Sequence, residues 1–136
     1  MKKRFTIFAL LLTCLSLCGC KKDTQISSVI DELDSFTTEL VKKVESAPNP
    51  SAGVDDAQKY FDSKKDDLTA KIATLKGIRG YQVSEETTKK MTASLIDDVK
   101  RVASLQLKYM STSMRDPAFK AKLEKLTKDY QSLFKL

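Results

Sequence analysis

Three cysteines, Cys14, Cys18 and Cys20, and the adjacent acidic pairs Asp55 and Asp56, Asp66 and Asp67, and Asp97 and Asp98 are the side chains most able to do chemistry. The cysteines invite a zinc reading, but a closed site needs four ligands and the chain has no histidine to complete one. The acidic pairs invite acid and base roles, yet neighbouring residues on a helix point about 100° apart and do not converge. Without histidine the side chain most used for proton transfer near neutral pH is missing, and nucleophilic pairs built on it are impossible. The Glu-x-x-His motif of di-iron bundles cannot be built, and no Gly-rich phosphate loop follows a strand. No catalytic residue, metal site or cofactor is expected, and the chain is read as a non-enzyme.

All three cysteines lie within the first 20 residues, where Met1-Lys2-Lys3-Arg4 precedes an apolar run from Phe5 to Leu17. A charged start followed by a short apolar core is a secretory signal layout. A membrane-spanning helix needs about 20 apolar residues, and this run gives way to Lys21 and Lys22 after about 13 to 16. An uncleaved anchor and secretion without lipid remain as alternatives.

The ending Leu17-Cys18-Gly19-Cys20 resembles the lipobox of bacterial lipoproteins, with an aliphatic residue three before the cysteine and a small one immediately before it. Cys14 and Cys18 fit less well, since they would place Thr13 and bulky Leu17 at the cleavage position. The resemblance implies a diacylglyceryl thioether on Cys20, cleavage after Gly19, and an acyl chain such as palmitate on the new amino group. It also implies a lipid-anchored protein of the bacterial cell envelope. Lys21 after the cysteine resembles outer-membrane sorting in a two-membrane host; in a single-membrane host the anchor is the outer face of the plasma membrane.

On that reading residues 1–19 are a signal peptide, 20–25 a lipidated cysteine with a short tether, and 26–136 one helical domain. Removing the first 19 of 136 residues leaves 117, enough for a single core. Only Cys20 is retained, so no disulfide framework exists and packing must supply the stability. Subtracting the charges of Lys2, Lys3 and Arg4 from the formal +6 leaves +3, a mild balance that gives no case for nucleic acid.

Helical periodicity dominates the rest of the chain. Val29, Ile30, Leu33, Phe36, Leu40, Val41 and Val44 occupy about 140° of one helical face, and Pro48 and Pro50 end that helix near Ser46. A second helix starts at Asn49 or Ser51, either able to cap, and carries Val54, Ala57, Phe61, Leu68, Ile72 and Leu75 within about 60°. Its polar stretch from Asp62 to Asp67 places Lys64 or Lys65 along the seam, stem on the core and ammonium in water, with a polar notch for a partner as the alternative. Gly77 is expected to end it in a left-handed conformation. Ile78, Tyr81 and Val83 then give a loop more apolar than it needs, which either closes the bundle end or forms a contact site.

Ser84 caps a third helix whose apolar residues spread over about 200°. Ser111-Thr112-Ser113 favours a turn before Asp116 and Pro117 start a fourth helix, with Phe119, Leu123, Leu126, Tyr130, Leu133 and Phe134 within about 100°. Lys120, Lys122, Lys125 and Lys128 form its solvated face, with attraction to anionic lipid headgroups as the alternative. The fold class is all-α: an up-down-up-down four-helix bundle, with a three-helix bundle or helical dimer as the alternative.

Two functions are compatible with these features. The first is a non-catalytic adaptor that grips another envelope protein, attached to the membrane through lipid at Cys20. The second is a binder of a small apolar ligand in a gap lined by Met91, Met110 or Met114. The candidate partner surface is Ile96, Ala103, Leu107, Met110 and Met114 on the third helix, with Ile78 and Tyr81 in the loop. Burial of that flank among neighbouring helices is the favoured expectation, because it explains the wide arc without a partner.

Overall fold

The structure, a computed structural model, describes the backbone of residues 20–78 and 82–134 and the side chains of 22–78 and 82–134. The signal segment, the side chain of Cys20 and Tyr81 lie outside the described residues. Every element is an α-helix: α1 Cys20–Ser46, α2 Pro50–Lys76, α3 Glu85–Lys108, α4 Met110–Arg115 and α5 Pro117–Ser132. No strand occurs among the described residues. None of these helices is long and apolar enough to cross a membrane.

Helix starts follow their capping chemistry. Asn49 Oδ1 accepts from the N–H of Ser51 at 2.8 Å, with Pro50 at the first helical position. Ser84 Oγ accepts from Thr87 N–H at 3.1 Å, and Asp116 Oδ1 from Phe119 N–H at 3.0 Å ahead of Pro117. Each cap satisfies a backbone donor that its helix leaves unpaired.

Four local expectations are corrected. Residues 20–25, expected as a tether, are helical in α1, and Asp23 there accepts from Ser84 N–H at 3.0 Å, tying this stretch to the start of α3. Gly77 is right-handed, with φ −73° and ψ −9°, its N–H bonded to Leu75 O. The serine-rich stretch 111–113 is helical, and the break falls at Tyr109, whose ring packs on Phe119 at 5.7 Å. Lys64 and Lys65 are both exposed, so the α2 seam jumps two turns from Phe61 to Leu68. With Gln58 facing Asp129 near the end of α5, those lysines lie beyond the reach of that shorter helix.

Four helices form a closed ring of contacts, α1 with α2, α2 with α5, α5 with α3 and α3 with α1. Their directions can be read from cross-links. Helix α2 runs against α1, since Lys71 meets Glu32 while Gly53 meets Val44. Helices α1 and α3 run together, through Asp31 with Lys90 and Glu45 with Lys108; so do α2 and α5, through Asp55 with Lys122 and Gln58 with Asp129. Helices α2 and α3 therefore stand on opposite corners of the ring.

The core gathers Leu33, Phe36, Leu40 and Val44 of α1, Val54, Ala57, Phe61 and Leu68 of α2, Val102 and Leu105 of α3, and Phe119, Leu123, Leu126 and Tyr130 of α5. Phe36 is its hub, with ring centroids 5.3 Å from Tyr60, 6.2 Å from Phe61 and 6.3 Å from Tyr130. Tyr130 and Thr37 share a buried hydrogen bond at 2.6 Å, and burial pushes the Tyr130 phenol well above its ordinary value, so it stays neutral.

Gly53 marks a close approach of α2 to the end of α1. A Cβ there would stand 2.8 Å from Ala47 Cβ and 2.9 Å from the carbonyl oxygens of Lys43 and Val44. Alanine would gain about 1 kcal/mol of helix propensity, but separating two backbones costs about 1–3 kcal/mol. Gly53→Ala is therefore expected to lower the melting temperature, and an increase would show that α1 and α2 can part there at no cost.

Candidate functional site

Two features stand out on α3: a charge cluster facing α1, built on the buried Asp98, and an exposed apolar flank on its outer side. The cluster joins α3 to α1. Asp98 is fully buried, and its Oδ1 accepts from Arg101, whose guanidinium also pairs with Asp34 of α1. Arg101 additionally donates to Thr38 Oγ1 at 2.8 Å. Its Nε lies 3.2 Å from Asp97 Oδ2 but out of line for a hydrogen bond. Asp97 and Asp98 do diverge as helical neighbours; Arg101, one turn on, reaches both. Nothing in periodicity marked Asp98 as buried, although a basic residue three positions later is the spacing that could have suggested a pair.

Burial pushes the Asp98 carboxyl above its ordinary value, against the hydrogen bond and charge of Arg101, which pull it down. For Arg101, burial acts to lower the value, and the bonds to Asp98 and Asp34 outweigh it, so it stays charged. The folded chain thus holds the Asp98 proton more readily than the unfolded chain. This contribution to stability is complete below the ordinary value near 3.8 and is lost as pH rises through the raised folded value.

The apolar flank is exposed, contrary to the expected burial. Leu107 is 73% accessible, Met114 81%, Met110 52% and Ile96 49%, while Ala103 is half-buried. The physical reason is the position of α5, which packs on the Val102 and Leu105 side of α3 and leaves the far side without a neighbour. Leu107, Met110 and Met114 combine with Gln106, Ser113, Lys120, Leu123 and Glu124 to line an open groove of about 330 Å³ between α3, α4 and α5. Met91 is half-buried on α3 and is not among the lining residues. Ile78 is half-buried just past the end of α2, the end that runs back toward the start of α1, so the structure separates it from the flank.

The lysines of α5 are largely spoken for. Lys122 bonds Asp55 and Ser51, Lys125 bonds Asp129, and Lys120 pairs with Glu124 at 3.7 Å. No group of three metal-ligating side chains comes together among the described residues. Compared with known proteins, the chain matches no family model, no curated protein and no solved structure.

Substitutions separate the two features. Arg101→Met strands the buried Asp98 charge and is expected to cost about 2–3 kcal/mol at neutral pH, the low side for a buried pair because the arginine is partly exposed. The deficit should narrow toward pH 4 as Asp98 takes up its proton, and adding Asp98→Asn should recover part of it; denaturant titrations across pH check both. On the flank, Leu107→Ala should shift stability by no more than about 0.5 kcal/mol, whereas Leu105→Ala in the core should cost about 2–5 kcal/mol. Equal losses in thermal melts would mean that Leu107 is packed.

Proposed function

We propose that the chain is a lipid-anchored, non-catalytic interaction module of the bacterial cell envelope. On this reading the helices form an up-down-up-down four-helix bundle with α4 as a short extension of α3, held to the membrane through lipid at Cys20. The outer flank of α3 and α4 docks another envelope protein, on the periplasmic face of the outer membrane in a two-membrane host. The single observation that carries the reading is the exposure of Leu107, Met110 and Met114 in a row along one groove. Isolated apolar side chains on a surface are ordinary, but a contiguous apolar stripe beside a groove is the kind of surface proteins bury on association. Methionine suits such a surface, because its flexible thioether adapts to what covers it.

The same groove supports a second reading, a site for a small apolar ligand, since about 330 Å³ is at the lower end of ligand pockets. Its openness to solvent and the placement of Met91 elsewhere favour protein docking. A retained ligand would appear as excess mass in the gently purified protein.

The anchor is tested at Cys20. Two or more acyl chains anchor a protein stably where one is marginal. Cys20→Ser is therefore expected to leave unprocessed precursor and abolish labelling by a palmitate analogue. Unmodified Cys20 in the mature wild-type protein would sink the anchor. The docking surface is tested with a photoactivatable residue at position 107 in the intact envelope, where a covalent protein adduct is expected and its absence counts against the reading.

A further inference from the structure

We propose that the protein which covers the α3 and α4 flank is a second copy of this chain, docked antiparallel about a two-fold axis near residue 105. The inference rests on the reading of the flank as a docking surface and names its occupant.

Ile96, Lys100, Ala103, Leu107, Met110 and Met114 succeed one another at intervals of 4, 3, 4, 3 and 4 residues, the pattern of a seam that receives another helix. In heptad terms Lys100, Leu107 and Met114 take one core position and Ile96, Ala103 and Met110 the other. An antiparallel pair sets each kind of position against the other, so one two-fold axis matches Ile96 with Met114, Lys100 with Met110 and Ala103 with Leu107. The Lys100–Met110 and Ala103–Leu107 layers then join a stem-like or smaller side chain to a larger one, and Ile96 meets the flexible Met114, as close packing requires. A parallel pair would instead oppose Lys100 to its own copy and leave a gap at facing alanines.

Charge favours the same arrangement. Lys100 is exposed and makes no ion pair among the described residues. The antiparallel register puts it opposite the partner copy's Met110, and Glu124 lines the same groove as Met110, held only by Lys120 at 3.7 Å. The Lys100 stem can cover Met110 while its ammonium reaches that carboxylate, a charge match repeated twice by symmetry. The remaining seam borders, Val99, Ser104, Gln106, Ser111 and Ser113, are uncharged and oppose no like charge in a second copy. Asp97, the exception, already lies against Arg101.

Size sets the strength. The stripe from 96 to 114 covers α3 and, past the distortion at Tyr109, α4; the bonds from Tyr109 N–H to Leu105 O and from Ser113 N–H to Tyr109 O carry it across, for about 27 Å at 1.5 Å per residue. A contact of that length falls at the small end of specific interfaces, so the dimer depends on local concentration. On the reading that Cys20 is lipidated, confinement to one membrane supplies it with the helices lying along the membrane, since the antiparallel register puts the two α1 starts at opposite ends of the pair.

The test places a photoactivatable residue at position 114 of the full chain in its own envelope. Positions 96 and 114 of one copy are about 27 Å apart along the helix, too far for an internal bridge. The expected product has twice the chain mass, with the bridge mapped to the peptide around Ile96 of the other copy. Lys100→Glu or Glu124→Lys alone should cut its yield about tenfold, and the two together should restore it, since the reversed pair attracts again. A bridge between two copies of position 114, or failure of the combined reversal to restore the yield, overturns the antiparallel dimer. An adduct with a different protein overturns the second copy as occupant but leaves the docking surface standing, whereas no adduct at all removes both.

Discussion

Phe36 stands where three helices meet, and the layout of the molecule depends on how that meeting is filled. Its ring lies against Tyr60 and Phe61 of α2 and Tyr130 of α5, while the neighbouring Thr37 hydroxyl bonds the Tyr130 phenol. Buried aromatic rings bring large apolar areas together, and a buried hydroxyl needs a partner on that spot. These two demands fix where α5 ends its run across α1. Once it is fixed, α5 covers the inner side of α3 and nothing covers the outer side. The exposed flank is thus a consequence of the core.

The same geometry explains why charge appears inside α3 and apolar surface outside it. Between α1 and α3 the contacts include Asp98, Arg101, Asp34 and Thr38, a polar seam where Leu or Val is the usual filling. A buried ion pair adds little to stability, since desolvation cancels much of the attraction, but it penalises any register that leaves Asp98 unpaired. Helices α1 and α3 run parallel, and side chains along a parallel pair offer similar apolar layers at several offsets. Arg101 makes one offset better than the others, and the bonds from Asp23 to Ser84 and from Glu45 to Lys108 pin both ends.

Much of this was legible in the sequence because it is local. The stripes of α1, α2 and α5, the caps at Asn49, Ser84 and Asp116, and the proline after two of them each depend on a few neighbouring residues. Where the sequence misled, distance along the chain was the reason. The fate of Leu107 and Met114 depends on which side of α3 receives α5, and the exposure of Lys64 and Lys65 on how far α5 extends; periodicity within a helix carries neither. Asp98 reads as a surface acid until Asp34, 64 residues earlier, is brought beside Arg101. The close approach at Gly53 was equally hidden, because a glycine inside a helix looks like a weakness until the backbone behind it is known.

On this account the flank left open by the core is covered by protein in the envelope. Methionine oxidation by dilute peroxide reads that cover directly, because a solvent-exposed thioether forms sulfoxide and a covered one is protected. The rates at Met110 and Met114, measured by peptide mass spectrometry, should be fast in dilute purified protein and several-fold slower in the native envelope, while half-buried Met91 changes little between the two. Equal rates at Met110 and Met114 in both settings would contradict the account.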